Sequence, residues 1–358
     1  YARNAEIIQT LKEADVYGLD ELSFSFNFKT AYERKNNVID ALRNGISTLL
    51  SAPGITVVKG EAVLKSASSV YVNGEEYSAK NIIIATGSES KTLPIAGLDA
   101  DMICDSTWLL STDTLPKRIC IVGAGVIGME FASILNSFGC EVSVVEFLKE
   151  CLPALDGDIA KRLRKCLEKR GVAFYMQSGL KSAANGKVVF EKKGKETELE
   201  AEKVLLAVGR KPNVEGLGLD EVGIAYDKKG ITVNDMMQTS VPGVYAIGDV
   251  NGRQMLAHAA EMQGKRAVNS ILGLQDDIRF EIMPAAIFTN PEAACVGKTE
   301  EQLKAEGVEY ICQKHYYRAN GKALAMNETE GMLKLLADKK GLIIGCHVYG
   351  AHAADLVQ

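Results

Sequence analysis

The chain is poor in histidine and lacks the cysteine spacings that build metal centres and redox pairs. It has four histidines, His258, His315, His347 and His352, and none stands at zinc-ligand spacing to a cysteine. That excludes the common zinc motifs, and no metal ligand set is expected. None of the eight cysteines forms a CxxC or CxxxxC pair with another. Several lie inside apolar runs, such as Cys120 in RICIVG and Cys346 in LIIGCHVYG. This is the pattern of buried, reduced thiols in a cytoplasmic protein. No apolar run approaches the roughly 20 residues needed to span a bilayer. The opening YARNAEIIQTLKEA reads as an amphipathic helix and not as a signal peptide. Long Lys/Arg blocks are also missing, and the net charge is −5, which argues against nucleic acid or anionic membrane as the main partner. What remains is ordinary for a globular protein: 358 residues, 47% hydrophobic and 24% charged, enough for two or three domains.

The most informative stretch is Ile119–Glu146. An apolar β-like run, Ile119 to Val122, meets Gly123-x-Gly125-x-x-Gly128. A run of helical period follows (Ile127, Phe131, Ile134, Leu135, Phe138), then a second β-like run ending on Glu146. Each glycine has a physical task. Gly123 permits the tight turn, Gly125 lets a pyrophosphate approach the backbone, and Gly128 lets helix pack on strand. The helix N-terminus offers free N–H groups and the positive end of its dipole to phosphate. Glu146 lies about 20 residues past the first glycine, where an acid bonds a ribose 2′-hydroxyl and repels a 2′-phosphate. The motif therefore predicts a dinucleotide site that takes NAD. The alternative is a glycine-rich turn without a ligand.

The segment SAKNIIIATGS (Ser78–Ser88) resembles EAEKVLLAVGR (Glu200–Arg210), and Gly97-Leu98-Asp99 repeats as Gly218-Leu219-Asp220 at a similar offset. Two copies of one supersecondary unit are implied. The second copy has its phosphate loop at Gly123. The counterpart in the first copy would fall at or before Tyr1, so a first β-turn-α unit is expected upstream; the alternative is a first copy that never bound a nucleotide. Both ends read as cut through secondary structure.

Along the chain, residues 1–50 read as helix with a polar break near Gly18–Lys29. Strands are expected at Ile55–Leu64, Ser69–Ala79 and Asn81–Gly87, with Asn73-Gly74 as a hairpin turn. A helix over Asp158–Arg170, a strand over Val172–Gln177 and a charged antiparallel meander follow. Val244–Ile247 reads as a buried strand ending in Gly248-Asp249, which puts the acid at a sheet's carboxyl edge, where ligands bind in open α/β folds; the alternative for Asp249 is a helix cap. Beyond about Phe280 the pattern becomes antiparallel strands with helices, a separate α+β domain.

Together these residues resemble the two-dinucleotide-fold flavoprotein disulfide reductases (class I pyridine nucleotide-disulfide oxidoreductases), and within them the dihydrolipoamide dehydrogenase branch. The motifs are ATGS (Ala85–Ser88), GAGVIGME (Gly123–Glu130), VVEFLKECLPALD (Val144–Asp156), AVGRKPN (Ala207–Asn213), TSVPGVYAIGD (Thr239–Asp249), MLAHAA (Met255–Ala260), FTNPEAACVG (Phe288–Gly297) and GCHVYGAHAADLV (Gly345–Val357). The resemblance implies an α/β fold: two Rossmann-like dinucleotide-binding domains, for FAD and NAD, plus a C-terminal α+β dimerisation domain. The expected bounds are 1–112 for FAD, 113–238 for NAD, 239–279 for a second FAD segment and 280–358 for the interface domain.

It implies FAD contacts at Ala62, Thr86, Gly87, Ser88, Asp249, Met255, Leu256, Ala257 and His258. NAD contacts are implied at Gly123, Ala124, Gly125, Val126, Ile127, Gly128, Met129, Glu130 and Glu146, with Leu180 and Gly209 as weaker ones. Glu130 matches an acid that pairs with a flavin-side lysine. It further implies electron transfer from dihydrolipoamide, carried on a lipoyl domain of a multienzyme complex, through a redox disulfide and FAD to NAD⁺, in a homodimer. The family's FAD phosphate loop, its redox CxxxxC and its C-terminal His-x-His-Pro segment have no match here, so no catalytic residue is expected within these residues. His352 precedes the expected position of the catalytic histidine and is read as a capping or packing residue. Sister activities (mercuric or glutathione reductase, NADH oxidase) and a non-catalytic nucleotide-binding protein are the competing readings.

Overall fold

Apolar runs without polar alternation are buried on both faces, and such runs form the interior strands of a parallel sheet. Arg118–Val122 is buried at its last four positions and Lys203–Leu206 at its last three. They sit side by side in a five-stranded parallel sheet of order Ile103–Cys104, Lys203–Leu206, Arg118–Val122, Glu141–Glu146, Ala173–Met176. The computed structural model describes residues 1–95 and 97–358. These residues divide into two compact units: 1–39, 92–209 and 284–358 in the first, 40–91 and 210–283 in the second. The boundary between 39 and 40 falls inside the Phe28–Leu50 helix.

In unit 1 the Val126–Ser137 helix buries Met129, Phe131, Ala132 and Leu135 in one core with Ile119, Ile121, Val142 and Val144. The Gly157–Lys169 helix adds Ile159, Leu163 and Leu167 to the same core. Asp156 caps it, accepting the Asp158 N–H at 3.1 Å. The charged meander is a three-stranded antiparallel sheet of Gly179–Ala184, Lys187–Lys192 and Lys195–Glu200. The C-terminal residues form a second, antiparallel sheet, of order Ala285–Ile287, Ala293–Gly297, Ile343–Tyr349, Met332–Ala337, Ile311–Tyr316. Thr299 and Gln302 close a capping box on the Glu300–Ala305 helix.

In unit 2, Ile82–Ile84 pairs in parallel with Val244–Ala246, and Ile82, Ile84, Val244 and Ala246 share a core with Leu64, Leu219, Ile231 and Ala267. Asn73 and Gly74 both have positive φ, 53° and 93°, as a tight hairpin turn of this hand requires. The Ala257–Leu272 helix ends on Gly273 in the left-handed region.

Two expectations change. The stretch expected as a strand from Ile55 pairs only from Ala62, as Ala62–Ser66. Residues 55–61 are exposed and have no ladder partner among the described residues, so β-branched composition alone does not make them a strand. Residues 210–238, grouped by sequence with the dinucleotide unit, fall by their contacts in unit 2, where Leu219, Ile224 and Ile231 enter its core. No helix among the described residues is long and apolar enough to cross a membrane.

Candidate functional site: two glycine-ended strands

The Gly123–Gly128 loop lies within unit 1. Gly123 has φ +104°, and a Cβ there would stand 2.4 Å from the Ala207 carbonyl oxygen, so neither the conformation nor the space admits a side chain. A Cβ on Gly128 would stand 1.9 Å from the Gly123 carbonyl oxygen, which is the close helix-to-strand contact expected from the sequence. Gly125 differs from both. It is the N-cap of the Val126–Ser137 helix, makes no side-chain cap bond, and has nothing within 4 Å of its Cβ position. The loop thus leaves an open space in front of uncapped first-turn N–H groups, which suits a phosphate.

Glu146 is almost fully buried, and its carboxylate grips the loop itself. Oε2 accepts the Ala124 N–H at 2.6 Å and Oε1 accepts the Leu148 N–H at 2.7 Å. Each oxygen retains a lone pair for a further donor. The Ala124 carbonyl in turn accepts the Leu152 N–H at 2.8 Å. Ala124, Met129 and Leu180 have buried side chains, so only their backbones could meet a ligand. Val126 is exposed and Ile127 half-buried. Gly209, at φ +106°, ends the Ala207–Gly209 turn beside the loop.

Glu130 is half-buried, and its Oε1 accepts the Phe288 N–H at 2.9 Å. Burial raises its pKa above the ordinary carboxylate value, with that hydrogen bond acting against it. No Lys or Arg forms an ion pair with it among the described residues. His352, at φ +59°, precedes the Ala353–Leu356 helix with Nδ1 3.6 Å from Asp355 Oδ2.

The second group of expected residues lies within unit 2. The ATGS and AVGR segments, which the sequence aligns as repeats, here meet: Ser88–Ser90 pairs antiparallel with Arg210–Pro212. Ser88 Oγ donates to Asp249 Oδ2 at 2.6 Å and accepts from Arg210 Nε at 2.6 Å, and Arg210 also donates to the Ser88 carbonyl. Thr86 and Asn213 are joined by two side-chain–backbone bonds of 2.8 and 3.0 Å. Gly87, at φ +71°, has open space at its Cβ position. Gln263, which is buried, accepts from both the Gly248 N–H and Asn251 Nδ2, and so fixes the turn that carries Asp249. Asp249 Oδ1 accepts no hydrogen bond from a described residue. Ala62, Met255, Ala257 and His258 are exposed and Leu256 is half-buried in the same unit. Sequence reasoning missed Arg210, Asn213 and Gln263 as site supports. The first two sit in the quoted AVGRKPN motif, whereas Gln263 lies in a helical run with no distinguishing signal.

Residues 2–264 match the pyridine nucleotide-disulphide oxidoreductase model, and residues 283–358 match the dimerisation domain of the same family. The chain belongs to this family of oxidoreductases, whose cofactors are FAD and NAD, and its α/β class and C-terminal dimerisation domain follow. Among its relatives, it is similar to dihydrolipoyl dehydrogenase 2, mitochondrial, of Arabidopsis thaliana. The two are 39% identical over 355 residues, 96% of this chain and 70% of that protein. It is also similar to leghemoglobin reductase of Glycine max, 40% identical over 338 residues, 91% of this chain and 65% of that protein. The HOCl-induced flavoprotein disulfide reductase of Escherichia coli has the same fold. Its TM-score is 0.85 at 29% identity, over 93% of this chain and 78% of that one.

Proposed function

We propose that the chain is the nucleotide-binding and interface part of a dihydrolipoamide dehydrogenase, with NAD on the Gly123–Gly128 loop of unit 1 and FAD on the Thr86–Ser88 and Gly248–Asp249 turns of unit 2. The observation that carries this is the family match combined with an uncapped loop whose neighbouring carboxylate is Glu146. A 2′-phosphate beside Glu146 meets a buried negative charge, and Phe147 and Leu148 supply no counter-charge, so NAD is favoured over NADP.

FAD, when bound, supplies the two-electron carrier between a disulfide and the pyridine nucleotide. The protein's part is to hold and orient. Arg210 pins Ser88, Ser88 pins one oxygen of Asp249, and the other oxygen is left to accept a hydroxyl of the flavin chain. Gly87 and Gly125 let the ligands reach the backbone. Ala62 and Met255–His258 complete the flavin contacts, and Glu130 would accept a flavin-side lysine. In this reading the expected flavin residues lie in unit 2 and the expected nicotinamide residues in unit 1. The partner is a second copy of the chain and, for substrate delivery, a lipoyl domain. The eight free thiols fit a reducing compartment, here the cytoplasm.

The test is a titration of the chain with NADH and NADPH, followed by a substrate panel of dihydrolipoamide, glutathione disulfide and mercuric ion with the full-length gene product. NADH binding at least about tenfold tighter than NADPH, with dihydrolipoamide the preferred substrate, supports the reading. Preference for NADPH or for another panel member overturns it.

A further inference from the structure

Lys334 sits where a lysine rarely does. The Met332–Ala337 strand alternates buried and half-buried positions, and Lys334 falls on the buried face between Met332 and Leu336, with 0% exposure. Its ammonium is bonded by three carboxylates from two distant segments. Asp156 stands at 2.9 and 2.8 Å through its two oxygens, Asp158 at 3.0 Å and Glu300 at 2.5 Å. Lys314 on Asp158 and Lys304 on Glu300 balance the remaining negative charge. His347, the cross-strand neighbour of Lys334, is buried, bonds the Lys298 carbonyl through Nε2 and has no partner for Nδ1. A buried ion cluster of this kind is weak evidence for stability, because well-packed apolar residues serve as well. The position of the cluster in the chain suggests another role.

Asp156 directly follows a turn, Leu152–Leu155, whose first residue is bonded to the phosphate loop. Leu152, fully buried, adopts φ +49°, a left-handed conformation that a leucine rarely takes and that persists only when its surroundings fix it. Its N–H holds the Ala124 carbonyl at 2.8 Å, its own carbonyl accepts the Leu155 N–H at 2.9 Å, and Asp156 follows at once. Ala124 is therefore tethered twice, through its N–H by Glu146 and through its carbonyl by Leu152. Only the second tether leads to the C-terminal sheet.

We propose that Lys334 is a positioning residue for the dinucleotide site: by fixing Asp156 it holds the Leu152 turn, and through Leu152 it sets the plane of the Ala124–Gly125 peptide that faces the phosphates. The inference rests on the assignment of NAD to this loop. It adds that the affinity of the loop depends on a side chain of the dimerisation domain.

The experiment is an NADH titration of the chain by fluorescence, carried out well below the melting temperature. Lys334→Met is expected to weaken NADH binding about tenfold, and ADP-ribose, which lacks the nicotinamide, by the same factor. Val348→Ala is the control. It removes buried volume in a separate apolar cluster of the same sheet, and should lower the melting temperature while leaving the NADH affinity within about twofold. If Lys334→Met does not fold, Asp156→Asn replaces it. This variant keeps a capping oxygen, leaves Lys334 its other two carboxylates, and is expected to weaken NADH binding about threefold to tenfold. A folded Lys334→Met or Asp156→Asn chain that binds NADH like the parent overturns the inference. A parent chain that binds no NADH overturns the assignment of NAD to the loop instead, so the two failures are distinct.

Discussion

Replacing Gly128 by alanine sets two known effects against each other. Alanine is the better helix former, worth roughly 0.5–1 kcal/mol over glycine inside a helix. At Gly128 the added Cβ would stand 1.9 Å from the Gly123 carbonyl oxygen and 3.3 Å from Ile121 Cγ2. The obstacle is backbone, and it has little room to retreat. The Gly123 N–H is bonded to the Val145 carbonyl at 2.9 Å, and its Cα already faces the Ala207 carbonyl. The carbonyl must nevertheless move by about 1 Å, an overpacking that costs about 1–3 kcal/mol. Overpacking wins, and the expected net loss is about 1–2 kcal/mol, a fall in melting temperature of about 2–8 °C for a unit of this size.

Because the displaced carbonyl belongs to the phosphate loop, NADH affinity should fall about tenfold or more. Gly125→Ala is the matched comparison. Its Cβ meets nothing within 4 Å and its φ is −75°, so only a cap preference of about 0.5–1 kcal/mol is lost. NADH binding should still fall steeply, since the methyl group fills the space left for phosphate. Thermal melts by circular dichroism and NADH fluorescence titrations of both variants decide the matter. A Gly128→Ala chain as stable as the parent, or a Gly125→Ala chain that binds NADH as the parent does, would refute the reasoning.

Further outcomes follow from single contacts. Burial raises the Glu130 pKa above 4.5 in the folded state, so its ionisation opposes folding. Native stability should fall as pH rises from 4.5 through the raised value, and Glu130→Gln should abolish that fall in urea melts run across pH and be neutral or mildly stabilising at pH 7. Glu300 behaves oppositely. Lys304, Lys334 and Tyr310 hold its pKa down to about 2, so its contribution is present above 4.5 and lost as pH falls towards 2. Glu300→Gln should flatten this acid limb. Ser88→Ala breaks the link between Arg210 and Asp249 and should cost unit 2 about 1–2 kcal/mol in a denaturant melt. Cys104, Cys120, Cys140, Cys151 and Cys166 are buried, and burial pushes the first three up to about 12, 12 and 11. Thiol reagent at pH 8 should spare all five in the native chain and label all eight cysteines in urea.

The strand–loop–helix–strand unit at Ile119–Glu146 was legible because its signal is local. Glycine spacing, apolar runs and the acid at the end all lie within one stretch of chain, and the contacts that fix them are mostly internal to it. Glu146 shows where this stops. Its type and place could be read, but not that one oxygen holds the Ala124 N–H of the loop while the other holds the Leu148 N–H just after the strand, which depends on how the turn after it folds. The run from Ile55 misled because β-branched residues make a strand only beside a partner. Residues 210–238 misled because the pairing of Arg210–Pro212 with Ser88–Ser90 is long-range. Lys334 gave no warning at all. Nothing local in GMLKLLAD marks its lysine for burial. The carboxylates that allow its burial come from positions 156, 158 and 300.

The Lys203–Leu206 strand has a consequence for how the protein comes to be. It lies between Ile103–Cys104 and Arg118–Val122 in the sheet, yet it is made only after the whole meander. The phosphate loop therefore leaves the ribosome long before Ala207, the residue that packs against Gly123. Until that strand inserts, Ile119 and Ile121 lie on an open sheet edge. Such high contact order predicts slow folding and an interval of exposure to aggregation. During synthesis the loop should become competent for its nucleotide in one late step, when the strand closes, and ligand added to nascent chains shorter than this should protect nothing.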